Sequence, residues 1–363
     1  MSILRSLNAT ALHARTADLC ATNAWVEDNG FTVPAAYSSL SEEQWALNER
    51  VALCDLSARQ VWSFSGADAA SFLSFATLHD AAAMAPARAQ ETYWCDDGGF
   101  VRGQGTLVRR GATEFDLMTP VRDLAWMLDG AQGFEVELCD VTDQRAAIGV
   151  AGPLAAALLA DTALVTEELH PGDVADVRWR SNRVTVLCLS DCRFALQTPA
   201  EDAAVVWDRL WRSGRALGLG VAGAHALDLA RIEAGRLKPG VDWLPAQSAT
   251  SDDKLCLPQD FGVSPGLTRR FNGVDALRRN ANGPRRVAVQ LAASEAVVTG
   301  PLTSKESGAG RVTSVAWSLA RDEAVALAWV DQAVAKPGTV VQASGPSGPV
   351  AMRVTTVVQG PSA

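Results

Sequence analysis

The texture of the chain changes at Phe271, and that change constrains the fold more than any other feature. Beyond it run short β-branched stretches, Arg286–Leu291, Val312–Val315, Glu323–Val330, Thr339–Gln342 and Ala351–Val357, punctuated by Gly and Pro. Runs of this length, separated by turn residues, specify a small all-β module. Before Phe271 the periodicity keeps switching between two and three to four residues, so strands and helices are mixed. The predicted class is α+β with a β-rich C-terminal module.

The first part can be read element by element. Ser41-Glu42-Glu43 ahead of Trp45, Leu47 and Val51 reads as a capped helix start. Val61, Ser63 and Ser65 alternate with Trp62 and Phe64 as in a strand, and Gly66-Ala67-Asp68 turns into a helix carrying Phe72, Leu73 and Phe75. Gly98-Gly99 marks a turn between strands at Glu91–Cys95 and Gly105–Arg109. Phe115–Met118 and Phe134–Cys139 read as strands around a helix at Val121–Leu128. Strands follow at Ala146–Val150, Val174–Trp179, Val184–Leu189 and Phe194–Gln197, with helices at Leu154–Leu159, Glu201–Ser213 and Ala222–Gly235. Lys238 to Arg270 is polar, rich in Pro, Gly and Asp, and loop-like.

Composition excludes several classes. A formal charge of −9 argues against a nucleic-acid protein, because phosphate binding needs clustered Lys and Arg. No apolar run approaches the roughly 20 residues that span a bilayer, so no membrane partner is expected. The N-terminal stretch has no continuous apolar core of a signal peptide. Seven cysteines, Cys20, Cys54, Cys95, Cys139, Cys188, Cys192 and Cys256, are scattered and odd in number, with no CxxC pair. They read as reduced thiols of a cytoplasmic protein and not as metal ligands. Nothing in the sequence sets an oligomeric state.

Several short motifs then occur in a recognisable order. They are Gly30-Phe31-Thr32-Val33-Pro34 with Tyr37 and Glu43, Cys54-Asp55-Leu56-Ser57, Ala151-Gly152-Pro153-Leu154-Ala155 and Arg231-Ile232-Glu233-Ala234-Gly235. Phe271-Asn272-Gly273-Val274-Asp275-Ala276-Leu277, Gly310-Arg311-Val312-Thr313-Ser314, Ala326-Leu327-Ala328 and Pro337-Gly338-Thr339 complete the series. In this order the chain resembles the glycine-cleavage T-protein (aminomethyltransferase) family over nearly its whole length. The resemblance implies a three-domain fold with a C-terminal β-barrel and a central channel for tetrahydrofolate. It divides the chain into a discontinuous folate-binding domain (1–53 and 146–253), an inserted α+β domain (54–145) and a linker with the barrel (254–363).

The departures bear on chemistry. The family's glycine pair leads into two acidic residues, one of them the key catalytic Asp. Here Arg102 and Gly103 stand in their place, and a guanidinium accepts no proton at neutral pH. Asp96 and Asp97 lie upstream, on the far side of the turn. The family's pterin-holding Glu falls near Leu189, where Asp191 either replaces it in part or serves as a turn residue. Tyr93 holds the place of a channel-facing aromatic, as an acid or orienting donor or as strand packing. Arg231 matches a folate-contacting Arg, or pairs with Asp228 on its helix. Arg102 is an anion clamp facing the channel, or an exposed turn residue.

The resulting expectation is a tetrahydrofolate-dependent one-carbon (methyl) transferase that demethylates a small anionic methylated substrate. Tyr93 and Arg102 would be catalytic, and Arg231, Tyr93 and Asp191 would bind the cofactor. A partial likeness to folate-dependent aromatic O-demethylases, which also lack the acidic pair, supports it. Two alternatives stay open: a non-catalytic folate-binding or iron–sulfur-assembly-type protein, and a pocket recruited to folate-independent chemistry. The signature of the iron–sulfur subgroup is only faintly matched by Lys254 and Cys256.

Overall fold

The computed structural model describes residues 7–165, 167–179, 181–249, 256–263, 268–280, 286–304 and 307–358. Thr250 to Leu255, with Lys254, therefore lie outside the described residues. The chain forms two compact units: residues 1–72, 81–91 and 105–227, and residues 73–80, 92–104 and 228–363.

In the first unit a six-stranded sheet runs in the order Val174–Trp179, Asn182–Ser190, Arg193–Pro199, Arg145–Ala151, Ala52–Asp55, Gly220–Val221. All neighbours are antiparallel except the last pair. Side chains alternate between the two faces of such a sheet. Leu53, Ile148, Val150, Val186, Phe194 and Leu196 share one face, and pack against Leu158 and Leu159 of helix Ala155–Asp161 and Val206, Trp207 and Leu210 of helix Ala203–Gly214. Ala147, Leu187 and Ala195 share the other face, against Val61, Ala89, Val108 and Met118. Those four belong to a five-stranded sheet ordered Arg88–Cys95, Val101–Arg109, Glu114–Thr119, Gln60–Ser65, Glu137–Asp140. Arg110 ties the two sheets together: its guanidinium pairs with the buried Asp116 and donates to Thr185 (2.8 Å) and Gln197 (3.0 Å).

Two element boundaries differ from expectation for local reasons. The helix near Trp45 runs Leu40–Glu49, and its cap is Ser39, not Ser41. Ser39 Oγ accepts the Glu42 amide at 3.3 Å and the Glu42 carboxylate accepts the Ser39 amide at 3.4 Å, a complete capping box. The strand expected from Phe134 begins only at Glu137, because Phe134 turns back to stack edge-on against Phe72 at 5.5 Å.

In the second unit six strands close a barrel in the order Arg286–Ala293, Glu323–Asp331, Ser307–Ser318, Gly300–Ser304, Val340–Gly345, Gly348–Val357. Closure leaves no unpaired edge. Val289, Leu291, Leu302, Val312, Ala326, Ala328, Val341 and Met352 fill it. Glu323–Asp331 is apolar on both faces: Ala324, Ala326 and Ala328 look into the barrel, while Val325, Leu327 and Trp329 pack outside it in a second cluster with Tyr93, Ile232, Trp243 and Phe261. This accounts for the unbroken apolar run in that strand.

Candidate functional site

The second unit holds three of the four residues singled out from the sequence. Tyr93 is 8% exposed and lies 5.4 Å, ring to ring, from Phe261, which meets Trp243 at 5.2 Å and Trp329 at 5.5 Å. The Trp329 indole donates to the Asp242 carbonyl at 2.6 Å. Asp242, whose side chain is fully buried, pairs with Arg231 at 2.6 Å and accepts the hydroxyls of Thr313 and Ser314 at 2.6 Å each. Arg231 also donates to Asp228 (2.7 Å), the Arg236 carbonyl (3.1 Å) and Ser314 (2.8 Å). Tyr93 and Arg231 are thus joined through Phe261, Trp329 and Asp242. The planar fork of Arg231 is engaged on all three nitrogens, which fixes helix Ala224–Glu233 to the loop at Asp242 and the barrel at Ser314.

Arg102 sits one turn beyond Gly98-Gly99, on strand Val101–Arg109, half-buried, and its carbonyl accepts the Gln247 side chain at 3.2 Å. The turn before it is closed by Asp96, whose carboxylate accepts the Phe100 amide at 3.0 Å and whose carbonyl accepts the Gly99 amide at 2.9 Å. Gly99 takes φ +79°, and a Cβ on it would meet Leu277 at 2.9 Å. Gly103 points the other way from Arg102. A Cβ there would lie 2.1 Å from the ring of Trp94, which is fully buried. The space a side chain at 103 would need is therefore filled by an indole.

Asp191 belongs to the first unit. It and Cys192 form the exposed two-residue turn that joins Asn182–Ser190 to Arg193–Pro199, where Ser190 pairs with Arg193. Asp55 of the D-x-S motif accepts the Thr10 hydroxyl at 2.6 Å and the Ser57 amide at 2.9 Å. Burial raises its pKa, and these hydrogen bonds pull it back.

Sequence reasoning missed a group of charges in the same unit: Arg59, Arg193 and Glu91. Burial lowers the Arg193 pKa and the neighbouring Arg59 lowers it further; burial raises that of Glu91, against the pull of Arg193 and Arg59. The available signal was that Arg59 lies two residues beyond the motif segment Asp55-Leu56-Ser57, and Arg193 two residues beyond the candidate Asp191.

All seven cysteines are free. Burial pushes the thiol pKa of Cys54 and Cys256 up to about 12 and that of Cys188 to about 11, and raises that of Cys95. Thiolate, not thiol, reacts. A neutral-pH thiol reagent should modify exposed Cys139 and Cys192 first and Cys20 more slowly, leaving the other four until the protein unfolds. Peptide mass mapping checks this, and labelling of Cys54 as fast as Cys192 contradicts it.

A mixed α+β body followed along the chain by a closed six-stranded barrel is the aminomethyltransferase-type fold. The GCVT N-terminal domain matches residues 12–250, and the glycine cleavage T-protein C-terminal barrel domain matches residues 285–358. The chain belongs to this glycine-cleavage T-protein family. It is 30% identical over 348 residues to an aminomethyltransferase of Streptomyces coelicolor, covering 92% of each chain. It is 28% identical over 334 residues to an aminomethyltransferase of Bacillus subtilis, covering 87% of this chain and 89% of that one. A 4-methylaminobutanoate oxidase (formaldehyde-forming) of Paenarthrobacter nicotinovorans is 29% identical over 358 residues, 89% of this chain but 42% of the oxidase. The solved structure of a glycine cleavage system aminomethyltransferase T from Bartonella henselae has the same fold, with a TM-score of 0.83, 23% identity and 97% of both chains covered.

Proposed function

We propose that the chain is a tetrahydrofolate-dependent one-carbon transferase that removes a methyl group from a small anionic substrate. The observation that supports this reading best is the side chain at Arg102. It is half-buried beyond a turn that Asp96 closes, so the carboxylate upstream is occupied and the residue on the strand is a cation. A guanidinium there presents N–H donors where its relatives would present acceptors, and its complement is a carboxylate or phenolate.

The donor set fits a folate acceptor. The edge of a pterin carries N–H donors, for which a carboxylate is the complement. Glu91 in the first unit is such a carboxylate, and no side-chain hydrogen bond or ion pair holds it among the described residues. When bound, tetrahydrofolate supplies the nitrogen that takes up the one-carbon unit. The protein lowers the barrier by holding the reactants in line. Arg102 acts as an electrostatic clamp on the anion of the substrate or leaving group, and Tyr93, set in the aromatic cluster, fixes the wall beside its strand.

Calorimetric titration with tetrahydrofolate, followed by turnover of a panel of methylated carboxylates and phenolates, tests the reading. The expected result is folate binding and methyl loss from at least one anion. Arg102→Ala should lower kcat/KM tenfold or more, because truncating one partner of a charge-assisted contact costs about 2–5 kcal/mol where the contact is buried. Folate binding without turnover would instead identify a non-catalytic folate protein. No folate binding would point to a pocket recruited to other chemistry.

A further inference from the structure

We propose that one mouth of the barrel is a binding site for a small primary ammonium ion on an apolar stem. A cavity of about 450 Å³ lies there, within the size range of small-molecule sites, for which barrel mouths are a preferred place. Strand register fixes its walls. Trp317 stands opposite Ala324, and Ala324 opposite Ala293. Both alanines look into the barrel, so Trp317, at the end of its strand, faces the same way. Two small side chains beside a large one leave space over the barrel core, and the indole is 38% exposed. Val350, opposite Ala343 in the core, forms the floor. Two segments complete the rim. The connection after Ala293, with Ser294 and Glu295, is tied to the last hairpin by the Val298 amide, which donates to the Ser344 carbonyl at 2.9 Å. The turn of that hairpin, with Ser347 and Pro349, begins at Gly345, where a Cβ would meet the Ala296 carbonyl oxygen at 2.9 Å. Glycine at 345 therefore lets the turn close against the connection and wall the cavity.

Among the described residues that line the cavity, Glu295 alone is charged. No hydrogen bond or ion pair among the described residues holds its carboxylate. The face of the Trp317 ring is the other electron-rich surface. A cation between the two is drawn by the carboxylate through its charge and by the indole through its quadrupole. Ser294 and Ser347 bring hydroxyls, which accept the N–H bonds that a primary ammonium can donate and a quaternary one cannot. Val350 and Pro349 offer apolar contact to a short carbon stem. An anion of the same shape would meet Glu295 with like charge. Tyr93 packs outside the barrel wall, with Val325 and Leu327, so the mouth is a separate place and does not rest on the function proposed above.

Saturation-transfer NMR of the full chain with n-butylammonium chloride, titrated alone, tests the site. Binding should saturate and should weaken with added salt, because the carboxylate is exposed. Sodium butyrate, the same stem with the opposite charge, should not bind measurably, and tetramethylammonium should bind more weakly for want of N–H donors. Glu295→Gln and Trp317→Leu should each weaken butylammonium about two- to fivefold, the size of an exposed ion pair or cation–π contact. Circular dichroism confirms the native fold, and Glu295→Gln, at an exposed position, decides the matter even if Trp317→Leu fails to fold. Absence of saturable binding, butyrate binding as tightly as butylammonium, or an affinity that Glu295→Gln leaves unchanged would overturn the site. Tighter binding of tetramethylammonium would overturn the primary ammonium as its ligand. Nα-acetyl-lysine methylamide presents the same ammonium on a peptide and should bind no more tightly than butylammonium. Tighter binding would overturn the assignment to a free amine and give the mouth to a lysine of a partner protein.

Discussion

Replacing Gly103 by Asp should unfold the second unit. A Cβ at 103 would sit 2.1, 2.5 and 2.6 Å from three atoms of the Trp94 ring, far inside van der Waals contact. Trp94 is fully buried and cannot swing into solvent. Overpacking of this kind costs about 1–3 kcal/mol, because neighbours leave their rotamers or the strand shifts. The carboxylate adds the cost of a buried, unpaired charge, and the two together should exceed about 4 kcal/mol. Gly103→Ala separates the contributions, since it introduces the overlap without the charge. Urea unfolding of both variants should give a clear loss for Ala and a larger one for Asp. A Gly103→Asp protein as stable as the parent would mean that the strand can move to make room.

A side chain at position 103 has no room, because the large residue on the adjacent strand has taken the space. Trp94 and Gly103 form a complementary pair, large against absent, and the partner of a missing side chain cannot be read from either residue alone. The same holds for Arg231. Its helix position predicted the Asp228 pair at 2.7 Å, but the stronger partner, Asp242, lies eleven residues on in a segment that reads only as polar loop.

Elements with periodic apolar patterns were legible in the sequence. The alternation at Val61–Ser65 is a strand and the apolar face around Val206 and Leu210 is a helix, as expected. The barrel was legible because its strands are β-branched and its turns rich in Gly and Pro. Its strand Gly300–Ser304 was not, since Pro301, Thr303 and Ser304 are polar or breaking and only Leu302 points a large side chain inward. Charges such as Arg193 and Glu91 act on each other only through the register and packing of strands distant in sequence. Local spacing carries no record of that register, so Tyr93 drew notice while Glu91, two residues earlier on the same strand face, did not.

Glu43, one of the motif residues, gives the second large effect. Its side chain is 2% exposed, yet it is an ionisable residue facing inward from helix Leu40–Glu49. One carboxylate oxygen accepts the backbone amides of Tyr37 at 2.5 Å and Ser38 at 3.0 Å, and the other accepts the amide of Gly223 at 2.7 Å. Three donors from two separate segments are satisfied by one side chain, as buried backbone N–H groups must be. Glu43→Ala would leave all three without an acceptor. At about 1–3 kcal/mol for each buried donor left unpaired, the three together should cost about 3–9 kcal/mol, enough to abolish folding of the first unit at growth temperature. Glu43→Gln keeps the size and one carbonyl oxygen. It can still serve the Tyr37 and Ser38 amides, but its NH₂ then meets the Gly223 N–H, donor against donor. Its cost should be close to that of one lost bond, about 1–3 kcal/mol. Denaturant midpoints should fall in the order parent, Gln, Ala. Hydrogen exchange at Gly223 should quicken in both variants, while exchange at Tyr37 should quicken only in Glu43→Ala. Equal destabilisation by Gln and Ala would assign the effect to the charge of Glu43, not to the amides it accepts.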